Sequence, residues 1–215
     1  MTKQPTISSL NKTNVGVYDL LADEYEACAK ANLEIVSESM DKLLRHITPP
    51  ATALDVGCGV GNIADALVSK GYEVDGIDIS PKMIEAAKRT VSGARFFVGD
   101  VYKYSFEKHY DIIVAFAFLH LFPKREVVKM LQKFREILKP CGFIYTGTTE
   151  SSEYTEGYEY KHDYNKKVRR FRARWPRNEL DQFLVNNGFE IIEVYKHIDF
   201  KNKIWLDYLL KVKEL

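Results

Sequence analysis

A glycine-rich turn is the feature that most restricts how this chain can fold. The segment reads Leu54-Asp55-Val56-Gly57-Cys58-Gly59-Val60-Gly61-Asn62, with glycine at every second position after an apolar strand end. This spacing predicts a tight turn whose backbone a ligand can approach, because glycine has no side chain to block it. It is neither the G-x-G-x-x-G of dinucleotide-binding turns nor a P-loop, which needs Lys and then Ser or Thr.

The composition bounds the class of protein. The chain has 215 residues, of which 46% are hydrophobic, so we expect one domain with a sizeable core. The formal net charge of +1 argues against nucleic acid or a membrane surface as a partner. No apolar run is long enough to span a bilayer, and residues 1–14 lack the apolar core of a signal peptide. We therefore expect a cytoplasmic protein with a flexible arm over 1–14.

The cysteine pattern indicates neither a disulfide framework nor a zinc site. Cys28, Cys58 and Cys141 are far apart and form no C-x-x-C pair. The sequence therefore predicts no metal.

The order of elements predicts a parallel sheet. Residues 15–47 have helical periodicity, and strands then alternate with helices up to residue 149. This rhythm implies right-handed crossovers between parallel strands. The five expected strands are Ala53–Val56, Tyr72–Ile79, Arg95–Val98, Asp111–Phe116 and Phe143–Thr148. Beyond residue 149 the rhythm breaks, and a helix at Pro176–Asn187 precedes a closing hairpin of Phe189–Phe200 and Lys203–Leu215.

The ends of the second and third strands carry acidic residues suited to a nucleoside. Ligands of open parallel sheets bind beyond the carboxyl ends of the strands. Asp78 follows Gly57 by about 20 positions, the separation expected of an acid that accepts both hydroxyls of a ribose. Asp100, after Gly99, can accept a hydrogen bond from an adenine amine while Val101 packs on the ring. The alternatives are a solvated Asp78 near a helix N-terminus and a turn-forming Asp100.

The end of the fourth strand carries small and aromatic residues. Ala115 and Phe116 precede Leu119 and His120. Aromatic faces attract cations, so this strand end suits a sulfonium.

These segments together resemble the class I S-adenosylmethionine-dependent methyltransferases. Leu54–Asn62 is similar to their motif I, Gly76–Ser80 to the acidic segment that follows it, and Val98–Val101 to the adenine loop. Asp111–Pro123 and Leu138–Gly142 resemble two later motifs, although Cys141 stands where a second glycine is usual. The resemblance implies S-adenosylmethionine as cofactor, with S-adenosylhomocysteine as product. The positions assigned to the cofactor are Asp55, Gly57, Cys58, Gly59, Gly61, Asn62, Asp78, Ile79, Met83, Gly99, Asp100, Val101, Ala115, Phe116 and Tyr25.

The resemblance also implies a fold. It is α/β, a Rossmann-like three-layer sandwich with a seven-stranded, mostly parallel sheet, a C-terminal antiparallel hairpin and an N-terminal helical lid. The expected divisions of this single domain are an arm at 1–14, a lid at 15–47, a cofactor-binding core at 48–149, a substrate-side insert at 150–175 and a closing helix and hairpin at 176–215.

The catalytic and acceptor residues are harder to read. His120, just past the fourth strand, is a candidate general base, or else a structural histidine. The candidate acceptor-binding residues are Tyr18, Tyr154, Tyr158, His162 and Arg172. Tyr18 and Tyr25 would alternatively be core residues of the lid, and the tyrosines of the insert would be exposed.

A basic run at 166–174 places six positive charges in nine positions. On a strand, Arg170, Arg172 and Arg174 would share one face, which could meet an anionic acceptor or RNA. Alternatively, the run faces the upstream glutamates across a hairpin and is paired with them; these are Glu150, Glu153, Glu156 and Glu159.

Three functions remain open at this point. The preferred one is methyl transfer, by in-line displacement, to an oxygen or nitrogen of a small molecule, with anions among the candidate acceptors. The others are methylation of RNA, such as a tRNA base, and a non-catalytic module that binds the cofactor. The sequence does not specify the acceptor or the oligomeric state.

Overall fold

The computed structural model describes residues 5–162, 164–199 and 202–213. Its helices are α1 (Ile7–Ala27), α2 (Ala29–Leu43), α3 (Asn62–Ser69), α4 (Pro81–Thr90), α5 (Lys124–Ile137) and α6 (Arg177–Asn186). Its strands are β1 (Thr52–Val56), β2 (Glu73–Asp78), β3 (Ala94–Val98), β4 (Tyr110–Phe116), β5 (Leu138–Thr149), β6 (Thr155–Lys161), β7 (Val168–Arg174), β8 (Phe189–Ile198) and β9 (Ile204–Val212).

Seven strands form one sheet in the order β3-β2-β1-β4-β5-β9-β8. The pairs from β3 to β5 are parallel, whereas β9 pairs antiparallel with both β5 and β8. The predicted mostly parallel sheet with a C-terminal antiparallel hairpin is thereby confirmed. The chain runs outward from β1 in one direction and from β4 in the other, so the order reverses between these strands, which is where such sheets form a ligand crevice.

Helices cover both faces of the sheet. Side chains alternate along β1, so that Leu54 joins a core cluster with Met130 of α5, and Ala53 joins the opposite cluster with Leu67 of α3. Burial on both faces explains why these strands are apolar almost throughout. The result is the expected three-layer sandwich.

The N-terminal helix corrects one expectation. Helix α1 begins at Ile7, where Thr6 caps it by accepting a hydrogen bond from the Ser9 N–H. Leu10 is fully buried and anchors this first part of α1 to the core. Residues 7–14 are therefore helical and do not form the flexible arm that the polar sequence predicts; residues 1–4 lie outside the described part of the chain.

The segment after residue 149 contains a second, two-stranded sheet. Strands β6 and β7 pair antiparallel, with Glu159 opposite Arg170 and Tyr158 opposite Phe171. Phe171 and Ala173 pack into the main core, and the other face of this hairpin carries Arg170, Arg172 and Arg174. On that face Arg170 lies beside α1, where it donates a hydrogen bond to the Tyr18 hydroxyl.

No helix in the described part of the chain is long and apolar enough to cross a membrane.

Candidate active site

The glycine turn joins β1 to α3 at the reversal of strand order. All three glycines have positive φ, and Gly61 directly precedes the first residue of α3. A Cβ on Gly59 would meet no atom within 4 Å, whereas one on Gly57 would lie 2.6 Å from the Phe118 ring. The turn therefore presents open backbone at Gly59 and is packed from one side at Gly57, as a ligand cradle requires.

Asp78 lies at the end of β2 and supports this turn. Its Oδ2 accepts a hydrogen bond from the Gly59 N–H at 3.0 Å, and its Oδ1 accepts one from the Ser80 N–H at 2.9 Å. Burial raises the pKa of the Asp78 carboxyl. Each carboxylate oxygen keeps a further lone pair for a ligand hydroxyl, and Asp78 lines the cavity described below.

Asp55 lies beneath the turn rather than in the cavity wall. Its carboxyl group is buried, and its Oδ2 has no hydrogen-bond partner among the described residues. Burial, and then the neighbouring charge of Asp78, raise the pKa of Asp55 to about 8. The structure does not bring Asp55 into contact with the cavity.

Asp100 follows β3 and already has two partners. Its Oδ2 accepts a hydrogen bond from the Asn11 amide at 2.8 Å, and its Oδ1 accepts one from the Tyr102 N–H at 3.1 Å. Asn11 belongs to α1, so this bond ties the N-terminal helix to the loop after β3.

A cavity of about 610 Å³ opens between the sheet edge, α1 and the β6–β7 hairpin. This volume is typical of a site for a small-molecule ligand. Sixteen of the predicted site residues line it: Tyr18, Tyr25, Gly57, Cys58, Gly59, Asn62, Asp78, Ile79, Met83, Gly99, Asp100, Val101, Phe116, His120, His162 and Arg172. Five do not: Asp55, Gly61, Ala115, Tyr154 and Tyr158.

Asp55 is described above, and the other four of these residues have structural surroundings that account for their positions. Ala115 is fully buried in the core, and a Cβ on Gly61 would point at Val91 and Ala87. Tyr154 packs edge-on against Trp175, and Tyr158 packs edge-on against Phe171.

One side of the cavity is strongly cationic. Arg170 and Arg172 lie on one face of β7 and line the cavity with Lys161. Burial, and then the charge of Arg170, lower the pKa of Arg172 to about 10, which leaves the guanidinium charged at neutral pH. Arg172 donates to the Thr149 hydroxyl at 2.7 Å, and no carboxylate of the described residues pairs with it.

The upstream glutamates neutralise this face only in part. Glu159 pairs with Arg174 at 2.7 Å, at the end of the run, rather than with Arg172. Glu150 pairs with Lys196 at 2.6 Å. Glu156 accepts hydrogen bonds from the Tyr154 hydroxyl and the Lys124 N–H.

His120 lies behind the cationic wall. It is 1% exposed, its Nδ1 lies 3.1 Å from the Thr148 hydroxyl, and its Nε2 has no partner among the described residues. Burial, and then the charges of Arg172 and Arg170, lower the pKa of His120 well below its usual range. The imidazole is therefore neutral at physiological pH.

Two cavity residues, Asn14 and Thr149, were missed by the interpretation of the sequence. Asn14 is 4% exposed, and its Oδ1 has no partner among the described residues. Thr149 and Arg170 meet Arg172 and Tyr18, respectively, from distant parts of the chain. The basic run signalled Arg170, whereas no local pattern marked Asn14 or Thr149.

Comparison with known proteins agrees with this geometry. Residues 53–142 match a family model described as a methyltransferase domain. The chain is 28% identical to an uncharacterised methyltransferase of Oceanobacillus iheyensis, over 91% of this chain and 93% of that protein. It is 30% identical to a demethylmenaquinone methyltransferase of Thermotoga maritima, over 59% of this chain and 57% of that enzyme. The solved structure of a DhpI–SAH complex superimposes with a TM-score of 0.77 at 17% identity, covering 98% of this chain and 100% of that chain.

Residues 53–142 thus match a methyltransferase domain, and the chain as a whole is similar to methyltransferases in sequence and fold. The cofactor that this similarity implies is S-adenosylmethionine. The residues present fit that group. Gly59 leaves room against the backbone, Asp78 offers carboxylate oxygens at the strand end, and the unpartnered Asn14 Oδ1 adds a further acceptor in the cavity wall.

Proposed function

We propose that this enzyme transfers a methyl group from S-adenosylmethionine to an oxygen or nitrogen atom of a small-molecule acceptor that carries an anionic group. The Thermotoga relative is named for demethylmenaquinone, which supports a small-molecule acceptor. The anionic group is inferred from Arg172, a cavity-lining guanidinium with no carboxylate partner among the described residues.

The cofactor would occupy the side of the cavity formed by the predicted core, residues 48–149. Asp78 would accept the ribose hydroxyls, and Asp100 would accept the adenine amine while Val101 contacts the ring. The turn at 57–61 and the N-terminus of α3 would hold the methionine end. Phe116, which lines the cavity, would contact the sulfonium through its ring face.

When bound, S-adenosylmethionine supplies an electrophilic methyl group on a sulfonium. The main contribution of this chain is then to hold the acceptor atom in line with that methyl group. Fixing two reactants in this way removes roughly 7–11 kcal/mol of barrier in favourable cases. His120 is neutral and has an unpartnered Nε2, so it is suited to take the proton that a hydroxyl or amine acceptor releases.

Arg172 carries the argument for an anionic acceptor. A partly desolvated guanidinium without a counter-charge is unfavourable, and a carboxylate or phosphate in the cavity would compensate it with paired, charge-assisted hydrogen bonds. Arg170 and Arg172 line an interior cavity, which favours a small ligand over an RNA surface for this part of the basic run.

The test is a labelled-methyl assay across metabolites offered as matched pairs, each free acid beside its neutral amide. We expect methylation of at least one acid and weak or no methylation of its amide. Arg172→Met should raise KM for the acid 10-fold or more while S-adenosylhomocysteine affinity stays close to wild type. Transfer to neutral acceptors with equal efficiency would contradict the anionic acceptor. Transfer only to tRNA would favour an RNA substrate, and cofactor binding without any transfer would favour a non-catalytic module.

A further inference from the structure

Two hydroxyl groups of the cavity wall each accept a hydrogen bond from an arginine. Arg170 Nη1 donates to the Tyr18 hydroxyl at 2.8 Å, and Arg172 Nη2 donates to Thr149 Oγ1 at 2.7 Å. All four residues line the cavity. The arginines are two positions apart on β7, so their side chains leave the strand on the same face. The two arginine–hydroxyl pairs are therefore neighbours in one wall.

The chemistry of these groups determines where the hydroxyl protons point. A guanidinium has five N–H donors and no acceptor, so each hydroxyl can only accept from its arginine. The proton of the hydroxyl must then go to another atom. Within residues 5–162, 164–199 and 202–213, neither Tyr18 nor Thr149 donates its hydroxyl proton to a protein acceptor. The direction that remains open to both protons is the cavity.

The two hydroxyl groups and the two guanidinium groups consequently offer only donors to a ligand. A hydroxyl that accepts from a cation is polarised and becomes a stronger donor itself. Arg172 adds a charged donor beside the two hydroxyls, and Lys161 adds positive charge. A ligand group with several acceptor lone pairs and a negative charge, such as a carboxylate or a phosphate, matches this arrangement.

We propose that Tyr18 and Thr149 donate their hydroxyl protons to the anionic group of the methyl acceptor, and that Arg170 and Arg172 fix the direction of these two donors. The inference rests on the proposed function, since it specifies how that function's anionic acceptor is bound. Arg170 acts here as a positioning residue, through Tyr18. Because Tyr18 belongs to α1 and Thr149 ends β5, the anion would be held by two separate elements of the fold.

Isothermal titration calorimetry with two probe anions tests this assignment without knowledge of the natural acceptor. Malonate and inorganic phosphate are titrated separately into protein saturated with S-adenosylhomocysteine. Tyr18→Phe and Thr149→Val each remove one donor and should weaken anion binding about 10-fold, as expected for hydrogen bonds to a charged partner. Thr149→Ser keeps the hydroxyl and should retain wild-type affinity within about two-fold.

Tyr104→Phe is the matched control for Tyr18→Phe. The Tyr104 ring packs against Phe97 and Phe106 outside the cavity wall, so removing its hydroxyl should leave anion affinity unchanged. Arg170→Met should weaken anion binding much less in a Tyr18→Phe background than in the wild type, because its proposed action passes through Tyr18. Purely additive effects would contradict that positioning role.

The outcomes separate this inference from the proposed function. If the wild type binds a probe anion and Arg172→Met abolishes the binding, but Tyr18→Phe and Thr149→Val bind as the wild type does, the donor assignment is overturned and the anionic acceptor stands. If the wild type binds neither anion, the anionic acceptor and the donor assignment both fail. Should Thr149→Val not fold, Tyr18→Phe with its Tyr104→Phe control decides the matter alone.

Discussion

The carboxylate of Asp78 accepts a hydrogen bond from the backbone N–H of Gly59 at 3.0 Å, which fastens the end of β2 to the glycine turn after β1. Both residues also line the cavity. The same carboxylate thus shapes the turn and offers its remaining lone pairs to a ligand. This contact joins the two motifs from which the cofactor was first inferred.

Replacement of His120 tests whether a base takes part in catalysis. His120→Asn should lower kcat about 100-fold, a typical loss for a general base, while the affinity for S-adenosylmethionine stays nearly intact. Because the pKa of His120 is lowered by burial and by the neighbouring arginines, wild-type kcat should not fall as the pH drops from 7 through 6.5. Steady-state kinetics with an acceptor from the labelled-methyl assay provide the measurement. Equal turnover in the variant would mean that His120 is structural.

Asp55 should make the stability of the protein depend on pH. In the unfolded chain this carboxyl group loses its proton near pH 4, whereas burial and Asp78 raise its pKa to about 8 in the folded chain. Between these values the folded state binds one proton more, so the Asp55 contribution to the free energy of unfolding decreases as the pH rises from about 4 to 8.

Asp55→Asn cannot ionise and still offers an oxygen to the Ala64 N–H, which bonds to Asp55 in the wild type. The Tm of the variant relative to that of wild type should therefore be higher at pH 8 than at pH 5. Thermal unfolding of cofactor-free protein, followed by circular dichroism, measures this difference. A Tm difference that is the same at both pH values would contradict the raised pKa.

Cys141 occupies a backbone conformation that favours glycine. Its φ is +62°, in the left-handed region. Cys141→Gly should relieve about 1 kcal/mol of backbone strain, part of which is offset by the greater freedom of glycine in the unfolded chain. Urea unfolding should show a small increase in midpoint with unchanged slope. A lower midpoint would indicate that contacts of the Cys141 side chain outweigh the strain.

The neighbouring residue, Gly142, does not tolerate a side chain. Gly142→Ala is the reverse control, because a Cβ there would lie 2.7 Å from the Leu138 Cγ and 3.0 Å from the Asp111 carbonyl oxygen. We expect this variant to be less stable than the wild type. Together the two variants distinguish relief of backbone strain at Cys141 from a general tolerance of this turn to substitution.

The parallel sheet, and the position of the glycine turn, Asp78 and Asp100 in one cavity wall, could be predicted from sequence because their signals are local. The central strands are mostly apolar on both faces, and the glycine turn, Asp78 and Asp100 each lie at or just beyond the end of a strand. Ligands of open parallel sheets bind beyond the carboxyl ends of the strands, so a residue that follows a strand in the sequence lies near this site in the fold.

The side of the cavity formed by α1 and the β6–β7 hairpin could not be predicted in the same way. Arg170 and Tyr18 are 152 positions apart, and Arg172 and Thr149 belong to different sheets. The sequence offered the β6–β7 hairpin only as one alternative, since its apolar pattern is short: only Phe171 and Ala173 of β7 are buried against the core. Contacts of this kind depend on how α1 and the hairpin pack together, which no local pattern specifies.

The central claim is that Asp78 and the glycine turn hold the methyl donor, and its most direct test is calorimetric titration of S-adenosylmethionine into wild-type protein and Asp78→Ala. Loss of hydrogen bonds between a carboxylate and the ribose should weaken binding 10-fold or more. Asp65→Ala, which removes an exposed carboxylate from the neighbouring helix α3, should bind as the wild type does. Equal affinity in Asp78→Ala, with its fold intact by circular dichroism, would remove Asp78 from the cofactor site and contradict the account.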